Sequence, residues 1–216
     1  MFNSSLAIIL GANLLSLYYA IFWLPKPEQT FRSFLKIAPM LLLILAGIIG
    51  NIPVLILAGL VACTIGDYFL SREGEKNFLF GLTAFLIGHI FYIGFFAGSF
   101  DQRLLTHRTA LETGVILLAL IAMVLFRLWP HLNEMKIPVL IYSVTVAAMA
   151  FFAKLAEPGL FVLAGIASFV VSDILLANDK FTPLTNTLGR RIMPYAIWIL
   201  YFIGQSLIVA GFVSQF

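Results

Sequence analysis

The chain has 216 residues, of which 62% are hydrophobic and only 11% charged, and its formal net charge is +3. A soluble domain carries roughly 45–50% apolar and about 25% charged residues, so an ordinary soluble domain and a disordered chain are excluded, and the single cysteine, Cys63, excludes a disulfide scaffold. With a mean hydropathy of +1.04 and about 20 apolar residues needed per crossing, the chain reads as an all-α polytopic membrane protein of about eight transmembrane helices, one domain over 1–216, with no room for a soluble domain.

Apolar runs between polar breaks predict spans near 6–24, 33–49, 53–71, 78–98, 110–129, 136–154, 158–177 and 192–213. Met1–Ser5 carries no Lys or Arg, so the first span reads as a retained helix and not a cleavable signal. It ends at Pro25-Lys26-Pro27. The second opens with Lys36, followed by Pro39; Lys36 could pair with a lipid phosphate or an Asp, or act as a positive-inside anchor. After Gly50-Asn51-Ile52-Pro53, the third span holds Cys63, a small core residue, and Asp67 near its end.

Ser71-Arg72-Glu73-Gly74 leads into the fourth span. There His89 lies about 11 residues inside, roughly 16 Å deep by helix rise, with Tyr92 on the same face at i+3. The fifth span ends at Trp129-Pro130, and the sixth carries Tyr142 and ends at Glu157-Pro158-Gly159. The seventh holds Asp173 near its predicted end and stops before Thr182-Pro183. The eighth carries Tyr195 and Gln205, and the terminal Ser214-Gln215-Phe216 has no lipidation signal. Asn51, Tyr142, Asn178 and Tyr195 read as caps or interface anchors; of these, Tyr195 is kept as a substrate-binding candidate.

An internal repeat links the halves, approximately 1–106 and 107–216. Residues 57–70 resemble 163–176 at a constant offset of 106, placing Asp67 on Asp173. Phe85-Leu86-Ile87-Gly88-His89 matches Tyr201-Phe202-Ile203-Gly204-Gln205 at an offset of 116, which needs a longer loop after the seventh span. Four spans per unit is an even number, so the units would be parallel repeats about an axis along the membrane normal. Ten of the 13 Lys and Arg fall in alternate loops, after the first, third, fifth and seventh spans. By the positive-inside rule those loops face the cytoplasm and both termini lie outside, as expected for a bacterial inner-membrane protein. A pI near 9.1 fits such loops and does not suggest nucleic acid.

Chemistry must then come from polar residues within the spans. A carboxylate in a spanning segment is costly and points to function, or to an end-of-helix pairing with a loop cation. Two Asp at matched repeat positions favour function: both reach similar depth, one able to stay protonated beside an ionised partner, an arrangement for acid/base work on an acid-labile bond. His89 and its repeat partner Gln205 form a polar layer about 10 Å deeper than the Asp pair by helix rise. Three His, one Cys and no HExxH or CxxC spacing give no metal motif. Nucleotide loops and a GxSxG elbow are also missing.

Gly66-Asp67-x-x-Leu70, Phe78-x-x-Gly81-Leu82-x-x-Phe85-x-x-Gly88-His89-x-x-Tyr92, Ser172-Asp173-x-Leu175-Leu176-Ala177-x-x-x-Phe181 and Gln205-Ser206-Leu207-Ile208 together resemble the YhhN-like lysoplasmalogenase family, over Lys36 to Ile208. The resemblance implies an integral-membrane hydrolase that cleaves the vinyl ether bond of a lysophospholipid substrate, releasing a fatty aldehyde and glycerophosphoethanolamine or glycerophosphocholine. A vinyl ether is cleaved by protonation at its β-carbon, giving an oxocarbenium ion that water captures, much as paired carboxyls serve glycosidases. Asp67 and Asp173 are the expected acid and base, in either order. Lys36, His89, Tyr92, Tyr195 and Gln205 are expected to bind substrate or orient water, and no metal or organic cofactor is required. A proton-coupled transporter using the Asp pair, and a non-catalytic membrane protein with structural acids, are the competing readings.

Overall fold

The computed structural model describes residues 2–100, 102–106, 108–182 and 187–214. Eight α-helices carry the fold: α1 (Phe2–Phe22), α2 (Thr30–Ile49), α3 (Val54–Leu70), α4 (Glu75–Ser99), α5 (Arg108–Leu128), α6 (Lys136–Ala156), α7 (Leu160–Phe181) and α8 (Thr187–Val213). They answer to the eight predicted runs. Seven are long and apolar enough to cross a membrane; α3, with 17 residues, is a shorter apolar helix. Lipid offers backbone groups no partner, so helices that satisfy their own N–H and C=O groups are the form such runs take. Pro183, Gln215 and Phe216, from two of the predicted breaks and ends, lie outside the described residues.

Two helices run further than hydropathy indicates. α4 starts at Glu75, and α7 continues through Asn178-Asp179-Lys180 to Phe181. Asp173 is therefore eight residues from the end of its helix, about 12 Å inside it, which corrects the expectation that it lies near the helix end. Gly74 makes the turn into α4 at a φ of 100°, open to glycine and strained for other residues.

The broadest helix pairings are α3 against α4 and α7 against α8. In each, matched glycines let backbones touch. A Cβ on Gly88 would lie 3.1 Å from the carbonyl oxygen of Gly59, and one on Gly165 would lie 2.6 Å from that of Gly204. Gly59 and Gly165 differ by the first repeat offset, and Gly88 and Gly204 by the second. The equivalent crossings support the parallel-repeat reading, which stays a proposal. α4 packs on α6 and α1 on α8, while α5 lies outermost, with only 6% of its apolar window buried. The main apolar core fills the bundle around Met40, Leu60, Phe85, Phe169 and Phe202, and a smaller one gathers Leu128, Leu132 and Val139.

Candidate functional site

Side chains of α2, α3, α7 and α8 converge on a polar cavity of about 440 Å³, lined by Lys36, Asp67, Asp173 and Tyr201 and, at its mouth, Arg72, Glu73, Asp179 and Lys180. Ser71 Oγ donates to Ser33 Oγ over 2.7 Å, tying the end of α3 to α2. Ser168 and Ser172 donate to the carbonyls of Leu200 and Ile197, fixing α7 against α8 one turn apart. The two Asp-bearing helices are thus pinned to their neighbours within a turn of each carboxylate. Pro194 lines the same cavity and interrupts the α8 hydrogen-bond ladder there.

Asp67 has both oxygens engaged. Lys36 Nζ lies 3.3 Å from Oδ1, and Tyr201 donates its hydroxyl to Oδ2 over 2.6 Å. The side chain of Asp67 is 3% exposed and that of Lys36 13%. A bare carboxylate in a spanning helix costs about 2.5–3.5 kcal/mol on insertion scales; here a cation and a phenol offset it. Of the three readings of Lys36, the structure realises the Asp pairing.

Asp173 has a different partner. Its Oδ2 lies 3.3 Å from Nε2 of His89, which is fully buried. The distance suits an ionic contact, but the geometry is not that of a hydrogen bond, and neither atom has a hydrogen-bond partner among the described residues. His89 Nδ1 lies 2.7 Å from the Phe85 carbonyl. A carbonyl only accepts, so Nδ1 carries a proton and, in neutral histidine, Nε2 is a lone pair. Nε2 is then the ring nitrogen turned toward Oδ2 of Asp173.

For Asp173 the 10 Å gap expected from His89 is not found, because the extended α7 sets it level with the middle of α4. Tyr92 and Gln205 form a separate buried pair, with the Tyr92 hydroxyl donating to Gln205 Oε1 over 2.7 Å. Neither lines the cavity. Tyr195 packs against the core and is also absent from the cavity wall. Two other residues do reach the carboxylates: Tyr201, and Tyr142, whose ring meets His89 edge to face at 5.4 Å and which interacts with Asp173. For Tyr201 the repeat held a signal, since a hydroxyl appears where the matched residue is Phe85.

A second concavity adjoins the first. It is an apolar groove between α4, α5, α6 and α7, lined by Leu117, Leu120, Tyr142, Ala147 and Val170 among others. Phe78, Asp173 and Leu176 line both spaces. Asp173 thus stands where a polar chamber meets an oily channel, the shape an amphiphile needs. Among the described residues, no three His, Cys, Asp or Glu side chains are grouped to hold a metal ion.

Comparison with known proteins adds the family and its relatives. The YhhN family matches residues 31–212. A protein of Mycobacterium tuberculosis named lysoplasmalogenase is 31% identical over 157 residues, covering 71% of this chain and 58% of its own length, and the Mycobacterium bovis protein of that name matches equally. Human lysoplasmalogenase TMEM86A is 27% identical over 221 residues, covering 91% of this chain and 85% of its own. The chain thus spans just over half the length of the mycobacterial relatives. No solved structure matches it.

Proposed function

The chain belongs to the YhhN family, and from that premise we propose that it is an integral-membrane hydrolase of the vinyl ether bond of lysoplasmalogens, yielding a fatty aldehyde and a glycerophospho-base. The relatives named lysoplasmalogenase support the substrate class. The observation that carries the reading is the position of Asp173, on the wall of both the apolar groove and the polar cavity that it shares with Asp67. A lysolipid laid with its chain in the groove and its head in the cavity brings its vinyl ether to the junction.

The different surroundings of the carboxyls divide the work. Asp173, set against His89, enters as the acid: it protonates the β-carbon of the vinyl ether, and the double-bond electrons form the new C–H bond. The resulting oxocarbenium ion faces Asp67, which Lys36 and Tyr201 hold in place. Asp67 takes a proton from water as that water adds to the cation, giving a hemiacetal. The hemiacetal collapses: its hydroxyl proton returns to Asp173, the C–O bond breaks, and the proton on Asp67 passes to the leaving oxygen. One water is consumed and both carboxyls are reset. Tyr92 and Gln205 stiffen the floor beneath the site.

The basic loops orient the cavity mouth, with Arg72 and Lys180, toward the cytoplasm and leave both termini outside. The deciding experiment is aldehyde release by the purified chain from a lysoplasmalogen in detergent. A hydrolase works there; a transporter needs a sealed vesicle and a gradient, and gives no aldehyde in either setting.

A further inference from the structure

We propose that Arg72 and Lys180 form a phosphate-binding subsite at the cavity mouth, which seats the phosphodiester of the substrate headgroup; this rests on the hydrolase reading above. Four cations line the cavity: Arg32, Lys36, Arg72 and Lys180. Two are committed. Arg32 donates through Nε to the Trp23 carbonyl and through Nη2 to the Leu24 carbonyl, closing the end of α1, and Lys36 pairs with Asp67.

The other two lie against aromatic rings. The Arg72 guanidinium lies 4.7 Å from the centre of the Tyr68 ring, and Lys180 Nζ lies 4.7 Å from that of Phe78. Among the described residues, neither is within ion-pair distance of a carboxylate, although Glu73 and Asp179 line the same mouth. A cation–π contact fixes each side chain without using an N–H group in a hydrogen bond. Arg72 Nε is buried with no acceptor among the described residues, and buried donors are nearly always satisfied. A guanidinium and an ammonium on the wall of one cavity make a standard donor set for a phosphate. The neighbouring Glu73 and Asp179 suit the ammonium of a zwitterionic headgroup.

The spacing agrees. Lys180 is seven residues beyond Asp173 on α7, about 10 Å along the axis. In a lysoplasmalogen seven bonds separate phosphorus from the vinyl β-carbon, roughly 9 Å when extended, at bond lengths near 1.5 Å. A phosphate held at Arg72 and Lys180 therefore delivers the β-carbon to Asp173.

The test compares the full chain with Arg72→Gln, Lys180→Gln and Arg72→Lys on 1-alkenyl-glycerophosphoethanolamine and on 1-alkenylglycerol, which lacks the phosphate. Each Gln variant should raise KM for the phospholipid about 10-fold with kcat near wild type, as expected for losing one charge-assisted hydrogen bond. KM for 1-alkenylglycerol should not change, and Arg72→Lys should recover part of the loss. Folded Gln variants with unchanged KM, or with equal shifts on both substrates, overturn the subsite.

A second arm needs no turnover. The saturated 1-alkyl-glycerophosphoethanolamine should raise the melting temperature of wild type, and raise it less in the Gln variants. Equal stabilisation of wild type and variants overturns the proposal. If no aldehyde forms from any substrate, the hydrolase reading fails and this arm still decides the subsite. Inorganic phosphate or glycerophosphoethanolamine stabilising as strongly as the lipid would make the ligand a free phosphate and overturn the headgroup assignment.

Discussion

The rings of Phe85 and Tyr201 meet edge to face, with centroids 5.6 Å apart and planes at 82°. They occupy matching positions in the two halves of the sequence, so this contact lies where a twofold axis between the halves would pass. Only Tyr201 carries a hydroxyl, and it donates that hydroxyl to Asp67. Phe85 has nothing to offer Asp173, which faces His89 instead. One oxygen atom and one imidazole thus make two matched carboxyls chemically unlike.

Removing that oxygen tests the difference. Tyr201→Phe should keep the fold, because the ring packing against Phe85, Phe169 and Trp198 is retained. A hydrogen bond to a charged group is worth about 1.5–3 kcal/mol, so kcat/KM for aldehyde release should fall by roughly 10- to 100-fold. Activity equal to wild type would show that Asp67 does not depend on Tyr201.

The carboxyls themselves should matter more. Asp67→Asn and Asp173→Asn preserve shape but remove the titrating group. General acid–base catalysis contributes about 10²–10⁴-fold, and each substitution should cost at least that much in turnover. Groups acting as a unit are not additive, so the double variant should be little worse than either single one. Monodisperse elution establishes that the variants fold. Near wild-type turnover in both singles would end the two-carboxylate mechanism.

Lys36 and Asp67 should be coupled in stability. Removing one partner of a buried ion pair costs about 3–5 kcal/mol, because the remaining charge is uncompensated. Lys36→Met should therefore lower the melting temperature in detergent markedly. Lys36→Met combined with Asp67→Asn should regain most of that loss and remain inactive. Equal melting temperatures for the single and double variants would mean that the 3.3 Å contact carries no energy.

The apolar groove should set chain length. Ala147 lines it, four residues along α6 from Ser143. Ala147→Phe should raise KM for long-chain lysoplasmalogens at least 10-fold and leave a short-chain analogue unaffected. A uniform loss across chain lengths would place the aliphatic chain elsewhere.

The helices were legible because lipid-facing runs are long and apolar, and loops that leave the membrane carry Pro, Gly and charge. Lys36, Asp67, His89 and Asp173 stood out as polar guests in such runs. What did not show was their pairing. α7 continues through a polar turn that hydropathy reads as loop, so Asp173 looked shallower than it is, and His89 looked too deep to reach it. Tyr201 was hidden among the aromatic residues of an apolar helix, and Tyr142 read as an interface anchor. Whether a Tyr hydroxyl meets lipid headgroups or a carboxylate depends on which helix crosses beside it, a property of packing and not of periodicity.

α5 is the thin wall of the groove. Leu117, Leu120, Ile121 and Val124 face inward, while Leu111, Ile116, Leu118 and Phe126 are largely uncovered. A bond cut at Asp173 is cut on a boundary between two solvents. On the proposed reaction the fragment kept in the groove would be an oil-soluble aldehyde one helix away from the bilayer, and the fragment in the cavity a water-soluble ester beside an open mouth. Each product would then stand at the door of the phase that dissolves it, so departure of one need not wait for the other, and the reactive aldehyde would have no cause to cross the charged chamber where Lys36 and Lys180 carry primary amines.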